Sequence, residues 1–366
     1  MDDYRSVAEI DLGAITHNYR LLLQATKKTP VMAVVKANAY GHGDIAVSRH
    51  LEAIGAPFFG VVSLKEALAL RGAGITKPIL CFGAVAPTEA QRLKQERIIA
   101  TITSLENARA FSHQAPGLLC HLKVDTGMAR FGLDLRTEAN LGQVIAEIRA
   151  ISEIPGLAIG GIYTHFAEAD KPDSGYTESQ FTRFALLLAA LAGEGINLPL
   201  RHCANSAATL AHPQMHLDMV RAGLGIYGLP HARTSLPFRP ALTLKARVVE
   251  KHQLRAGESV SYGRTYRAAK EMEIATIAIG YADGYPRLAS NRDYLLHGEA
   301  ILPVIGTVCM DALMVDVTGT DVAVGDFVEV FGARKTATAL AETVQTIDYE
   351  ILTSLGERIE RVYHRR

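Results

Sequence analysis

Lys36 stands at the downstream end of an apolar run, Val31 to Val35, and is followed by Ala37-Asn38-Ala39-Tyr40-Gly41-His42-Gly43. A lysine placed where a buried strand gives way to flexible backbone can be presented partly desolvated. Such an amine loses its proton readily and becomes a nucleophile toward carbonyls. Other polar residues recur in the same setting: Lys123 to Arg130 (KVDTGMAR), Thr164-His165, His202 to Ser206 (HCANS) and Arg221-Ala222-Gly223 each end an apolar run. Asn205-Ser206 and Gly223-Leu224 offer a hydroxyl and backbone N–H groups of the kind that hold a phosphate. A reactive lysine facing a phosphate pocket suggests pyridoxal phosphate, whose aldehyde takes an amine as a Schiff base and whose ring serves as an electron sink.

Taken singly, each of these residues also has a structural reading. Lys36 could be a solvated strand end, and His165 and His202 could be satisfied residues behind a site. Arg221 could pair with a carboxylate, Ser206 could cap a helix, and Lys123 with Asp125 could form a structural ion pair. The glycines at 41, 43, 223 and 228 could serve turns alone. The functional reading rests on their joint placement at strand ends.

The elements that must position them are legible as a repeated theme, a short apolar run followed by a segment of helical periodicity. Eight such runs occur: Val31 to Lys36, Phe58 to Val62, Ile79 to Phe82, Ile98 to Ile102, Leu118 to Val124, Ala158 to Tyr163, Leu200 to Cys203 and Met219 to Arg221. Eight alternating units predict an α/β fold, a closed (β/α)8 TIM barrel, with functional groups at the C-terminal ends of its strands. After Pro230, Pro237 and Pro240 the pattern changes to β-branched runs separated by turns, with a helical segment near Ala339 to Leu355. Two domains are therefore expected, a barrel over residues 1–235 and a mainly β domain over 236–366. The apolar segment Ser6 to Ile10 could pair with either.

The bulk composition narrows the function classes. Lys plus Arg and Asp plus Glu each total 38, and no block of like charge is present to track nucleic acid or an anionic membrane. Small, roughly neutral partners are favoured. The four cysteines, Cys81, Cys120, Cys203 and Cys309, are scattered, which fits neither a zinc module nor a disulfide framework and predicts no metal and a cytoplasmic home. The N-terminus shows no secretory pattern, and no run is long enough to cross a bilayer.

AVVKANAYGHG, KVDTGMARFG, GIYTHFAEAD, HCANSAATL, VRAGLGIYG, VSYGRTY, IGYADGYPR and VCMDALMVDV occur in one order along nearly the whole chain. Together they resemble the bacterial alanine racemases, pyridoxal-phosphate isomerases with an eight-stranded barrel and a C-terminal β domain. The resemblance implies interconversion of L- and D-alanine, for peptidoglycan supply or alanine catabolism, in a homodimer with shared active sites. It implies that Lys36 carries the cofactor and acts as base on D-alanine, while Tyr262 of the second subunit serves the opposite face. Two bases are needed because a planar carbanion is reprotonated from either side only if a donor waits on each.

Arg221 is then implied to face the pyridine nitrogen, and a guanidinium there donates a hydrogen bond without protonating the ring. Tyr40, Asn205, Ser206, Tyr349, Gly223 and Leu224 are implied around the cofactor, with His165 relaying toward the tyrosine. Arg130 and the Met310 N–H are implied to receive the substrate carboxylate. Lys123, carbamylated in some relatives, and His202 are implied as supporting residues, and Tyr281 and Asp311 as residues narrowing the entrance. Ala129 departs from a glycine common in the family, which is expected to affect loop stiffness. The alternatives are a broader amino-acid racemase of the same fold, a non-catalytic cofactor-carrying protein and a decarboxylase. The third would be expected to carry an acidic partner for the pyridine nitrogen, where this chain has Arg221.

Overall fold

Most of the eight runs lack polar alternation, as strands covered on both faces require, and all eight become parallel strands. In the computed structural model, which describes residues 5–171 and 175–365, they are β2 (Val31–Val34), β3 (Phe59–Val61), β4 (Ile79–Cys81), β5 (Ile98–Ile102), β6 (Leu118–Asp125), β8 (Leu157–Tyr163), β9 (Leu200–His202) and β10 (Val220–Ala222). A two-residue strand, β7 (Leu133–Asp134), pairs with the end of β6. The sheet runs β10-β2-β3-β4-β5-β6-β8-β9, and its two ends meet where the Asp218 N–H donates to Arg201 C=O (3.1 Å) and the Arg221 N–H to Ala204 C=O (2.9 Å).

Met32, Phe58, Leu80, Ile99, Tyr163 and Met219, drawn from separate strand units, form a buried cluster. This is the packed interior expected of a small barrel. The helix Leu64–Gly72 starts at a reciprocal cap, in which Ser63 accepts from the Glu66 N–H and Glu66 accepts from the Ser63 N–H.

The second unit contains β1 (Ser6–Asp11), β11 (Leu242–Leu254), β12 (Ser259–Val260), β13 (Tyr266–Arg267), β14 (Met272–Ile277), β15 (Tyr294–His297), β16 (Ala300–Ile305), β17 (Leu313–Asp316), β18 (Phe327–Phe331) and β19 (Glu360–His364). The long β11 pairs with β18 through its first half and, past a shift between Val248 and Glu250, with β14. The path β14-β17-β16-β15-β18-β11 thereby returns on itself, which leaves few unpaired edges.

The barrel unit comprises Ile15–Ala39 and Asp44–Phe238. Two short segments differ from the expected range 1–235. β1 lies between β11 and β19 in the second unit's sheet, where Val7, Ala8 and Ile10 are buried. Tyr40–Gly43 belongs to that unit as well. There the Arg361 side chain donates to Gly41 C=O (2.8 Å), and a Cβ on Gly41 would lie 2.1 Å from the Leu352 carbonyl oxygen. Only glycine permits that approach. The expected helical segment near 339–355 is two helices, Ala337–Thr343 and Asp348–Thr353.

Candidate active site

Lys36 lies two residues past the end of β2, and the backbone after it is left-handed: Ala37, Asn38, Ala39 and Tyr40 have φ of 50°, 54°, 51° and 53°. Four successive non-glycine residues in this region carry a cost of about 1–2 kcal/mol each, so other contacts must hold them. The Ala37 N–H donates to Glu66 Oε1 (2.7 Å), the Ala39 N–H to Val35 C=O (2.9 Å), and Asn38 Oδ1 accepts from the Asp44 N–H (2.9 Å). Glu66 Oε2 also accepts from Val62 and Ser63, so one carboxylate ties the turn at Lys36 to a helix start. Burial lowers the affinity of Lys36 for its proton; the Arg130 and Arg221 charges act in the same direction, and Glu66 opposes them.

Arg221 is a buried cation whose neighbours are imidazoles and carbonyls. Its Nη1 lies 3.0 Å from His202 Nδ1, and its Nη2 reaches Thr164 C=O (2.8 Å), Cys203 C=O (2.9 Å) and His165 Nδ1 (3.0 Å). A guanidinium only donates, so both histidines accept through Nδ1 and are neutral, with their protons on Nε2. Burial, reinforced by the Arg221 charge, pushes the protonation of His165 and His202 well below the usual histidine range. Burial also pulls Arg221 down to about 10, which leaves it charged at neutral pH. His202 stacks on Tyr163 with ring centroids 4.9 Å apart.

Lys123 is buried on β6, donating to Val124 C=O (2.7 Å) beneath the Tyr163 and Phe131 rings. Burial lowers its pKa to about 7, with the Arg221 charge second. Asp125 accepts N–H bonds from Gly127, Met128 and Ala129 at Oδ1 and from Arg130 at Oδ2. The Asp125 carboxylate thus organises the loop that carries Arg130. Lys36, Lys123, Arg130 and Arg221 all depress His165, so this end of the barrel is strongly cationic.

Asn205, rather than Ser206, caps the helix Ser206–Ala211, accepting from the Ala208 N–H (2.9 Å). The Ser206 hydroxyl accepts N–H bonds from Gly223 (2.9 Å) and Gly225 (3.2 Å). Its acceptor sites are then filled, and its own proton remains to donate. The Leu224 amide lies between those two glycines. Four basic side chains, a hydroxyl in this state and a glycine-lined turn fit an anionic, phosphate-bearing cofactor.

The other expected site residues lie in the second unit. Tyr40 and Tyr349 adjoin one another, with ring centroids 6.1 Å apart. Tyr262 is 72% exposed in a turn entered through Ser261, which has φ 63° and ψ −174°. Ser261 Oγ donates to Thr307 C=O (2.5 Å) and Thr307 Oγ1 to Tyr262 C=O (2.8 Å), which holds that turn in place. Tyr281, Met310 and Asp311 come together: the Tyr281 N–H donates to Cys309 C=O (3.1 Å) and the Ala282 N–H to Met310 C=O (3.0 Å).

A Cβ on Gly280 would lie 2.3 Å from the Met310 carbonyl oxygen, so the close approach of these loops needs glycine. Arg358 bridges Asp283 (2.9 Å) and Asp311 (2.7 Å). Glu66, His121, Asp283 and Arg358 were not among the expected site residues. His121 had a usable signal, since it alternates with Lys123 and Asp125 on one face of β6. Arg358 had none, because its carboxylates come from distant segments.

A barrel with a lysine-bearing strand end, a cationic interior and a following β unit defines a class of pyridoxal-phosphate enzymes. A family model described as "Alanine racemase, N-terminal domain" matches residues 10–231, and one described as "Alanine racemase, C-terminal domain" matches residues 241–363. An alanine racemase of Desulfosudis oleivorans is 40% identical over 99% of this chain and 97% of its own. The solved alanine racemase of Clostridium difficile superposes with a TM-score of 0.94 at 32% identity, covering 100% of this chain and 97% of its own. That of Bartonella henselae, solved with covalently bound pyridoxal phosphate, has a TM-score of 0.89 at 30% identity over 98% of this chain and 99% of its own. The chain belongs to the alanine racemase family, isomerases that depend on pyridoxal phosphate.

Proposed function

We propose that this protein interconverts L-alanine and D-alanine, with Lys36 and Tyr262 moving the Cα proton on opposite faces. The observation that carries this reading is Lys36 itself, an amine with a depressed pKa at a strand end, anchored by Glu66 and surrounded by cations. Pyridoxal phosphate, when bound, supplies the electron sink that acidifies the substrate Cα–H.

Lys36 Nζ takes the proton from D-alanine, and Tyr262 Oη takes it from L-alanine. Ser206 and the Leu224 amide would hold the cofactor phosphate. Gly223 contributes by fixing Ser206, since its amide is already engaged there. With the cofactor bound, Arg221 would donate to its pyridine nitrogen, and neutral His165, accepting from Arg221 at Nδ1, would keep its Nε2 proton free to donate to the tyrosine. Arg130 and the Met310 N–H take the carboxylate. Tyr40 and Tyr349 form an aromatic pair suited to a phosphate margin, while Tyr281 and Asp311, held by Arg358, narrow the approach. Lys123, with a pKa near 7, is neutral often enough to take up carbon dioxide as a carbamate that would steady Arg130. An unmodified amine in bicarbonate buffer would count against that modification.

Tyr262 is highly exposed in the single chain, and a base needs a desolvated, cation-bearing setting to act. A second copy of the chain supplies that setting, giving a homodimer with shared sites in the cytoplasm. Mixed subunits test both the bases and the sharing. Lys36→Ala and Tyr262→Phe homodimers should each lose at least about a hundredfold in kcat. Their heterodimer holds one intact site, so a random mixture should recover about a quarter of full activity. No recovery overturns the sharing. If alanine exchanges no α-proton in deuterated water while another amino acid does, the alanine assignment falls.

A further inference from the structure

We infer that His121 is a positioning residue that holds Arg221 through His202. His121 Nδ1 lies 3.0 Å from His202 Nε2, and His202 Nδ1 lies 3.0 Å from Arg221 Nη1. Because the guanidinium only donates, His202 must accept at Nδ1 and donate from Nε2, and His121 must accept that proton's hydrogen bond at its own Nδ1. The three side chains therefore form a directional chain, Arg221 to His202 to His121, all nearly inaccessible to solvent. Without an acceptor at His121, the Nε2 proton of His202 is left buried and unpaired, and that cost favours the reverse tautomer against the opposition of Arg221. That tautomer would set an N–H against the arginine N–H.

The sheet is shaped to make room for this ring. The pairing of β6 with β8 shifts by one residue between Cys120 and His121, where Gly160 and Gly161 pass the histidine. A Cβ on Gly161 would lie 3.0 Å from His121 Cε1 and 3.1 Å from Nδ1, and one on Gly160 would lie 3.4 Å from Nε2. Burial, with the Arg221 charge second, keeps the His121 ring neutral, with a pKa near 4. A neutral acceptor is what the chain requires at its end. The consequence for the reaction rests on the racemase reading; the tautomer assignment does not.

The test uses His121→Leu, His121→Asn and His121→Gln holoenzymes labelled with 15N-histidine. Asn sets its amide oxygen where Nδ1 stood, Leu removes the acceptor, and Gln moves its amide to the Nε2 side. Long-range proton–nitrogen correlation should show His202 protonated at Nε2 in the wild type and in the His121→Asn variant. It should show a mixed or reversed tautomer in the Leu and Gln variants. kcat for alanine should fall about ten- to a hundredfold in those two with KM little changed, and Asn should restore most of it.

Thermal melts report whether each variant folds, and if the Leu variant does not, the contrast between Asn and Gln decides. The inference is overturned if Leu or Gln leaves the His202 tautomer as in wild type, or if kcat is the same in Asn and Gln. If the wild type fails to racemise alanine, the functional reading falls while the tautomer result still judges His121.

Discussion

Lys123 shows how one buried side chain couples charge to stability. Its pKa falls from the ordinary 10.5 to about 7 in the folded chain. Between those values the unfolded chain binds the proton and the folded one does not, so stability rises with pH across that window and is lost as pH falls toward 7. Lys123→Met should therefore melt higher than wild type near pH 7, with the gain shrinking toward pH 10. Melting curves at several pH values check this, and a pH-independent difference would refute it. His165 and His202 act in the same direction lower on the scale, since both must stay neutral beside Arg221. Acidification below about pH 6.5, where free histidine protonates, should cost stability.

The left-handed turn after Lys36 is a strained element, held from outside by Glu66. Glu66→Ala removes the acceptor for Ala37 and half of the reciprocal cap at Ser63, while Glu66→Gln keeps an oxygen for one of them. We expect the Ala variant to lose about 1–2 kcal/mol and to bind cofactor more weakly, with Gln closer to wild type. Denaturant unfolding and the visible absorbance of bound cofactor measure these effects, and an Ala variant with unchanged absorbance would rule out Glu66 as the anchor. The Gly280 and Arg358 loop junction is a second such element. Its ion pairs are half-exposed at Arg358, so Arg358→Ala should raise KM severalfold while changing stability by less than about 1 kcal/mol. Steady-state kinetics beside a thermal melt separates those outcomes.

At the scale of the whole molecule, each unit has its own buried core, and the second unit carries its own ionic anchor. Lys335 donates to Asp293 Oδ2 (2.7 Å), with both side chains shut off from solvent, and the Tyr285 hydroxyl donates to the same oxygen (2.5 Å). Removing one partner strands a buried charge. Asp293→Ala should therefore cost about 3–5 kcal/mol, whereas replacing both Asp293 and Lys335 by apolar residues of similar volume should cost less. Chemical denaturation of the single and double variants tests this, and strict additivity would contradict it. Tyr285 lies in the loop that also carries Tyr281 and Asp283, so the same variants should loosen that loop.

The sequence by itself determined the eight barrel strands, because buried parallel strands are built mainly from apolar runs and those runs are local features. It also marked Lys36, Arg130, His165, His202, Ser206 and Arg221, since polar residues that end apolar runs stand out from their neighbours. The capping task of Asn205 depended on where the helix began, a matter of a single residue. The placement of β1 beside β11 and β19 was beyond sequence reasoning, because a short apolar strand fits any open sheet edge. Glu66, Arg358 and the His121 chain were decided by tertiary structure alone. Each acts through at least one partner far away in the chain, and the direction of a hydrogen bond between two histidines depends on a guanidinium that only folding brings to them.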